Sequence, residues 1–219
     1  MRVVLFGATG MVGQGVLREC LLDPDVESVV TVGRRANGQI HPKLRELVHK
    51  DLLDLAPLES ELTGLDAAFF CLGVTSAGMT EADYTRVTYD ITMAAAASLV
   101  RLSPALTFVF VSGAGADSSE QGRTMWARVK RKTENALLRM PFRAVYVLRP
   151  AVIQPLHGIT SRTGSYRVFY AIARPLFPVL RWAFPNYVTT TEQIGLAMLK
   201  VAKSGASKKI LGTEEINGI

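Results

Sequence analysis

Three glycines at three-residue intervals, Gly7, Gly10 and Gly13, follow the apolar run Val3-Val4-Leu5-Phe6 and lead into a helical pattern. A strand that enters a glycine-rich turn and then a helix is the arrangement that cradles a pyrophosphate. In such a turn Gly7 makes the tight bend, Gly10 lets backbone approach the phosphates, and Gly13 lets the helix pack closely on the strand. Backbone around Thr9, Gly10, Met11 and Val12 then faces the anion, with the positive end of the helix dipole behind it. The competing reading is a turn that merely joins strand to helix. At the end of the second strand, where a preference for NAD calls for Asp or Glu against the ribose 2′-hydroxyl, the chain has Gly33-Arg34-Arg35. A carboxylate there would repel a 2′-phosphate, whereas a guanidinium pairs with it through two parallel hydrogen bonds. These residues favour NADP(H), and the alternative is a pair of solvated loop arginines. Asp51, with Leu52 beside it, follows a third short strand and can accept from an adenine amino group or serve as an ordinary N-cap.

The elements that must hold these residues are legible in the hydrophobic period. Apolar runs at Arg2–Phe6, Ser28–Val32, Ala67–Cys71, Thr107–Val111 and Val145–Leu148, with a shorter one at Leu47 and Val48, lack polar alternation, as strands buried on both faces do. Between them, Gly13–Leu22, Asp83–Leu102 and Arg123–Met140 carry apolar residues at three- and four-residue spacing. The alternation predicts an α/β fold: a Rossmann-like, doubly wound parallel sheet in a single domain over 1–219, with 151–219 forming a small substrate-side cap.

Composition bounds the possible functions. The chain has 219 residues, 48% hydrophobic and 20% charged, which suits one well-buried domain. Its 25 basic and 19 acidic residues give +6, a mild excess that fits acidic small ligands better than nucleic acid. Cys20 and Cys71 are spaced for neither a metal knuckle nor a disulfide framework, so no metal site is expected and a reducing cytoplasm is the simpler location. The opening MRVVLFGATG breaks at glycine too early to supply a secretory apolar core. The apolar stretch from Val168 to Phe184 is interrupted by Arg174, Pro175, Pro178 and Arg181, which argues against a membrane span.

In order along the chain, GATGMVG at 7–13, VGRR at 32–35, CLGVTSAG at 71–78, VSGAGAD at 111–117, VKRKTENAL at 129–137 and LRPAVI at 148–153 resemble the atypical branch of the short-chain dehydrogenase/reductase superfamily. The resemblance is to NAD(P)H-binding, epimerase/dehydratase-like proteins, the group of the Tat-interacting oxidoreductase-like protein of animals and many small bacterial homologues. A bacterial homologue is the expectation. The resemblance implies that Gly73, flanked by Leu72 and Val74, lies against the ribose and pyrophosphate. It implies that Ser112 hydrogen-bonds a substrate carbonyl or hydroxyl and that Lys130 holds the nicotinamide ribose, the two being the catalytic candidates. Arg149 and Pro150 would border the nicotinamide end. Helices starting near Asp83 and Arg123 often form the dimer surface in relatives, so monomer and homodimer both stand open.

The chief departure from that pattern is Trp126. The superfamily places a tyrosine four residues before the lysine, one helical turn away, as proton donor or acceptor. Here the segment reads Trp126-Ala127-Arg128-Val129-Lys130, and indole is only a donor with no accessible titration. Tyr84, Tyr89, Tyr166, Tyr170, Tyr187 and His157 are the candidates to replace it, each more often a packing or surface residue. The segment from Tyr166 to Phe184, with Arg162, Arg167, Arg174 and Arg181 around it, offers surface for a modest anionic or aromatic small molecule. Arg128, Arg131 and Lys132 share a helix face and read as solvated, with Lys130 turned inward, and Cys71 reads as an apolar filler. The sequence thus implies either an NADPH-dependent reductase of a small carbonyl or quinone-like compound, or a non-catalytic NADPH-binding sensor.

Overall fold

The computed structural model describes residues 1–116, 122–160 and 177–219. Seven parallel strands form the central sheet: β1 (Arg2–Phe6), β2 (Ser28–Gly33), β3 (Leu44–Val48), β4 (Ala67–Phe70), β5 (Thr107–Val111), β6 (Ala144–Arg149) and, after a separate pair, β9 (Ile210–Gly212). Their order is β3-β2-β1-β4-β5-β6-β9, every neighbouring pair parallel. The order reverses between β1 and β4, which opens a crevice at the carboxyl ends of the strands, where such sheets bind ligands.

Both faces of the sheet are buried, which explains the unbroken apolar runs. Val3, Leu5, Val29, Phe69 and Val109 point to one side, against α1 (Met11–Leu22) and α6 (Thr191–Ser204). Val4, Phe6, Val30, Phe70, Phe108 and Phe110 point to the other, against α3 (Ile91–Leu102) and α4 (Met125–Leu138). On that side Phe70 stacks on Phe6 with ring centroids 5.2 Å apart and on Phe108 at 6.0 Å. The helix expected from Asp83 begins as α2 (Glu81–Thr85), passes through a π-helical turn at Arg86–Asp90, and continues as α3. Thr80 caps its start by accepting from the Asp83 N–H at 3.1 Å.

The tail does more than cap. β7 (Val152–Gln154) and β8 (Val188–Thr190) form a small parallel pair, preceded at β8 by α5 (Phe177–Ala183). Beyond it, α6 buries Ile194, Met198 and Val201 on the same core as α1, β9 extends the main sheet by pairing with β6, and α7 (Thr213–Asn217) closes the described chain. The expectation that everything after Ala151 is cap is therefore corrected for this half of the tail. Short strands such as Ile210–Gly212 carry too few residues to show a period, and only pairing with β6 reveals them. Tyr166, Tyr170, Arg162, Arg167, Arg174 and Asp117 lie outside the described residues.

Candidate functional site

The turn between β1 and α1 has the geometry its glycines suggest. Gly7 sits at φ 84°, a left-handed conformation that side chains rarely adopt. A Cβ on Gly13 would lie 2.0 Å from the Gly7 carbonyl oxygen, so the first turn of α1 rests directly on the loop. Gly10 stands at the N-cap with no side chain to accept from that turn, and the turn carries no acidic residue. Backbone N–H groups at Met11 and Val12 thus meet no carboxylate of the helix's own first turn, which suits an anion.

Beside this turn, a cleft of about 520 Å³ opens over the ends of β1, β2 and β3. Gly7, Thr9, Arg34, Arg35, Leu52 and Leu72 line it. Arg34 and Arg35 are exposed and make no hydrogen bond or ion pair among the described residues, so both guanidinium groups are available to a ligand. Asp51 is placed differently from Leu52: its carboxylate accepts from the Leu53 N–H at 3.0 Å and does not line this cleft. That is an Asx turn rather than the N-cap of a helix, since the next helical element starts only at Ala56. After β4, a Cβ on Gly73 would meet nothing within 4 Å, and Val74 is exposed, so this loop leaves open space above the strand ends.

Ser112 follows Val111, the last residue of β5, and Lys130 reaches the Val111 carbonyl. The Ser112 N–H donates to the Leu148 carbonyl at 2.8 Å, while its hydroxyl is buried with no hydrogen-bond partner among the described residues. A buried hydroxyl without a partner is a costly arrangement that a ligand oxygen would relieve. Lys130 is buried, its Nζ donating to the Val111 carbonyl at 3.1 Å and standing 4.8 Å above the Phe110 ring. Burial brings its ammonium down to about 8, with the Glu134 carboxylate pulling the other way. Trp126, one turn earlier on α4, packs its indole near Gly113 and Gly115 in the loop after β5. Pro150, whose carbonyl accepts from the Ala114 N–H at 2.9 Å, ties that loop to the end of β6.

Arg149 requires a correction to its expected role. Its guanidinium is bound to the fully buried Glu134 carboxylate, with Nε to Oε1 at 3.0 Å, and Arg131 holds the same carboxylate at 3.2 Å. The side chain therefore braces α4 against β6. The neighbouring basic residues are likewise engaged: Arg128 pairs with Glu81 at 2.6 Å, and the Lys132 ammonium lies 4.5 Å above the Tyr89 ring. Tyr84 is buried, which pushes its phenol up, and Tyr187 is exposed. His157 pairs with Glu192 and lines a second cleft of about 410 Å³ with Gln14 and Arg18, to which neither Ser112 nor Lys130 contributes. None of these described candidates stands where the superfamily tyrosine would. Cys71 is buried, its sulfur 3.9 Å from that of Met198, and burial pushes its thiol far up, as befits an inert filler.

Two residues of the site had no signal in the sequence. Glu46, on β3 in register with Thr31, lines the first cleft, and both its oxygens accept from the Asn37 N–H, at 3.1 and 3.2 Å. It thereby anchors the loop that follows Arg34 and Arg35. Only strand pairing brings it there. Glu134 is the other, since a helical glutamate ordinarily reads as surface.

Residues 3–130 match the model of the NAD dependent epimerase/dehydratase family. The chain belongs to that family. This family member lies in the atypical short-chain dehydrogenase/reductase branch and has its nucleotide-binding, oxidoreductase-like fold. It is 26% identical over 214 residues to "Protein FMP52, mitochondrial" of Meyerozyma guilliermondii, covering 92% of this chain and 85% of the relative. It is 27% identical over 202 residues to the protein HTATIP2 of Rattus norvegicus, covering 90% and 79%. Among solved structures, the Bordetella bronchiseptica enzyme WbmF, determined in complex with NAD+, superposes with a TM-score of 0.67 at 13% identity, covering 99% of this chain and 76% of that one. At that identity the likeness is one of fold. One expectation is corrected and another is left unsupported. The cytoplasmic assignment is overturned by the fungal relatives, which are named as mitochondrial proteins. Fungal and rat relatives likewise lend no support to a bacterial origin.

Proposed function

We propose that this family member is an NADP(H)-binding oxidoreductase that reduces a small carbonyl or quinone-like compound. The observation that carries the reading is the cleft at the glycine turn, whose rim presents two guanidinium groups with no partner among the described residues. Met11 and Val12 backbone, with Thr9 and Gly10, receives the pyrophosphate. Arg34 and Arg35 receive the 2′-phosphate by bidentate pairing. Leu52 and Leu72 give the adenosine apolar walls, and the open space beside Gly73 and Val74 admits the chain of the dinucleotide.

When bound, the nicotinamide supplies the hydride for the reduction. Toward it, the Ser112 hydroxyl, already buried and without a partner, donates to the acceptor oxygen and polarises it. Lys130 keeps one N–H on the Val111 carbonyl and has further N–H groups for the ribose hydroxyls. Pro150 holds the loop behind Ser112 in place. The relatives named as mitochondrial support a location in or at mitochondria under this reading.

The test is a titration of the purified protein with NADPH and, separately, NADH, followed by nicotinamide fluorescence and repeated on the double variant Arg34→Ala, Arg35→Ala. The expected result is tighter NADPH binding that weakens by about 100-fold in the double variant, roughly 2.7 kcal/mol. Equal binding of both nucleotides, or none, would sink the NADP assignment. One observation favours a second reading, a non-catalytic NADPH-binding module: the indole of Trp126 packs beside Gly113 and Gly115 one turn from Lys130, where an acid would be needed. Turnover of a quinone with NADPH separates the two readings, and light scattering separates monomer from homodimer.

A further inference from the structure

α5 and the turn after it present an apolar face that the nucleotide site does not use. Phe177 and Leu180, three residues apart on one side of the helix, pack with Val188 and form its inner face. Val179 and Trp182, also three apart, point the other way and are 60% and 85% exposed. Phe184 and Tyr187 follow at 54% and 64%, and every residue from 181 to 187 is exposed. Single exposed apolar residues are ordinary, but three aromatic rings standing in solvent within six positions mark an interaction surface. These rings, expected to help enclose a small molecule, turn outward instead.

Charge identifies what would cover them. From Pro150 to Thr191 the sequence contains no Asp or Glu and four arginines, Arg162, Arg167, Arg174 and Arg181, within a chain of net charge +6. Arg181 is exposed in the last turn of α5, next to Trp182. Tryptophan and tyrosine beside arginine, in a stretch of sequence without acids, is the composition that settles at the headgroup level of a bilayer. The rings enter the acyl boundary and the guanidinium meets lipid phosphate. A pocket on a protein partner would use the rings but would not account for the acid-free run. α5 has seven residues, and no described helix is long and apolar enough to cross a membrane, so the contact is one that lies on the surface.

We propose that α5 and the turn to Tyr187 dock this protein on an anionic bilayer surface. The proposal is independent of the cofactor reading. Its test is flotation of the full chain with vesicles of phosphatidylcholine alone and of phosphatidylcholine mixed with phosphatidylglycerol, at low and high salt. The wild type is expected to float with the anionic vesicles, less so at high salt, with a blue shift of tryptophan emission. Trp182→Ala with Phe184→Ala should weaken binding by at least about tenfold, and Arg181→Glu by about fivefold. All three positions are exposed, and circular dichroism verifies that the variants fold. Failure to float, equal flotation with neutral vesicles, or unaltered flotation of both variants would each overturn the proposal. So would a wild type that does not float but forms a homodimer the variants lose, which would make the face a subunit contact.

Discussion

Replacing Lys130 by methionine measures what a buried ammonium costs this fold. The Lys130 side chain is enclosed beside Phe110, with the Val111 carbonyl as its hydrogen-bond acceptor and Glu134 acting through space. The fall from an ordinary 10.5 to about 8 corresponds to about 3 kcal/mol against the charged form in the folded state. Below pH 8 the folded and unfolded chains are both protonated, and that cost is present in full. Between 8 and 10.5 the unfolded chain holds a proton that the folded chain has released, so this group makes stability rise with pH. Cys20 and Cys71 act in the opposite sense, because burial pushes both thiols far up and the unfolded thiols ionise first. The difference between wild type and Lys130→Met removes the Cys20 contribution and leaves that of the lysine together with its charge coupling to Cys71. At pH 7 the variant recovers about 3 kcal/mol and loses a hydrogen bond and a cation–π contact, together about 1–2 kcal/mol. It should therefore be more stable by about 1–2 kcal/mol, with the wild type overtaking it as pH approaches 10.5. Urea denaturation of both proteins across that range, followed by circular dichroism, reads the difference directly. A variant that is less stable at pH 7, with a difference that does not change with pH, would refute the argument, since the ammonium would then be solvated or fully paired.

Gly13→Ala puts a Cβ onto the Gly7 carbonyl and should cost about 2–3 kcal/mol, seen as a fall in Tm of about 5–10 °C together with weaker nucleotide binding. Glu134→Gln leaves Arg131 and Arg149 without their carboxylate, but these side chains are 17% and 18% exposed and can take up water. Its cost should be about 2 kcal/mol by urea denaturation, below the range for fully buried pairs. Trp126→Tyr restores a titratable group one turn before Lys130. If a missing proton donor limits the reduction, kcat for a quinone with NADPH should rise at least about tenfold, and an unchanged rate rejects that account.

Much of the fold was legible because burial on both faces leaves a mark in each strand. Val3 to Phe6 and Thr107 to Val111 are apolar at every position or nearly so, and their limits agree with the structure to within a residue. The glycine turn was legible for the same kind of reason: at Gly7 the backbone angle, and at Gly13 the clearance, admit no side chain. Ile210–Gly212 and Val188–Thr190 were not legible, since three residues show no period and their strand character comes from partners β6 and β7. Arg149 misled because its place at the strand end says nothing of which way its guanidinium turns.

By itself, then, the amino-acid order determined the parallel sheet, the glycine cradle, the paired arginines at the second strand, and the tryptophan one turn before Lys130. These depend on local geometry and on spacing along one element. Tertiary structure alone decided that Glu46 reaches the loop after Arg35, that Glu134 joins Arg131 and Arg149, and that the Ser112 hydroxyl is left without a hydrogen-bond partner among the described residues. It also decided that Trp182 faces solvent rather than a cleft. Each of those outcomes depends on which distant segment packs alongside, and burial, charge pairing and exposure are properties of that packing rather than of any single stretch of chain.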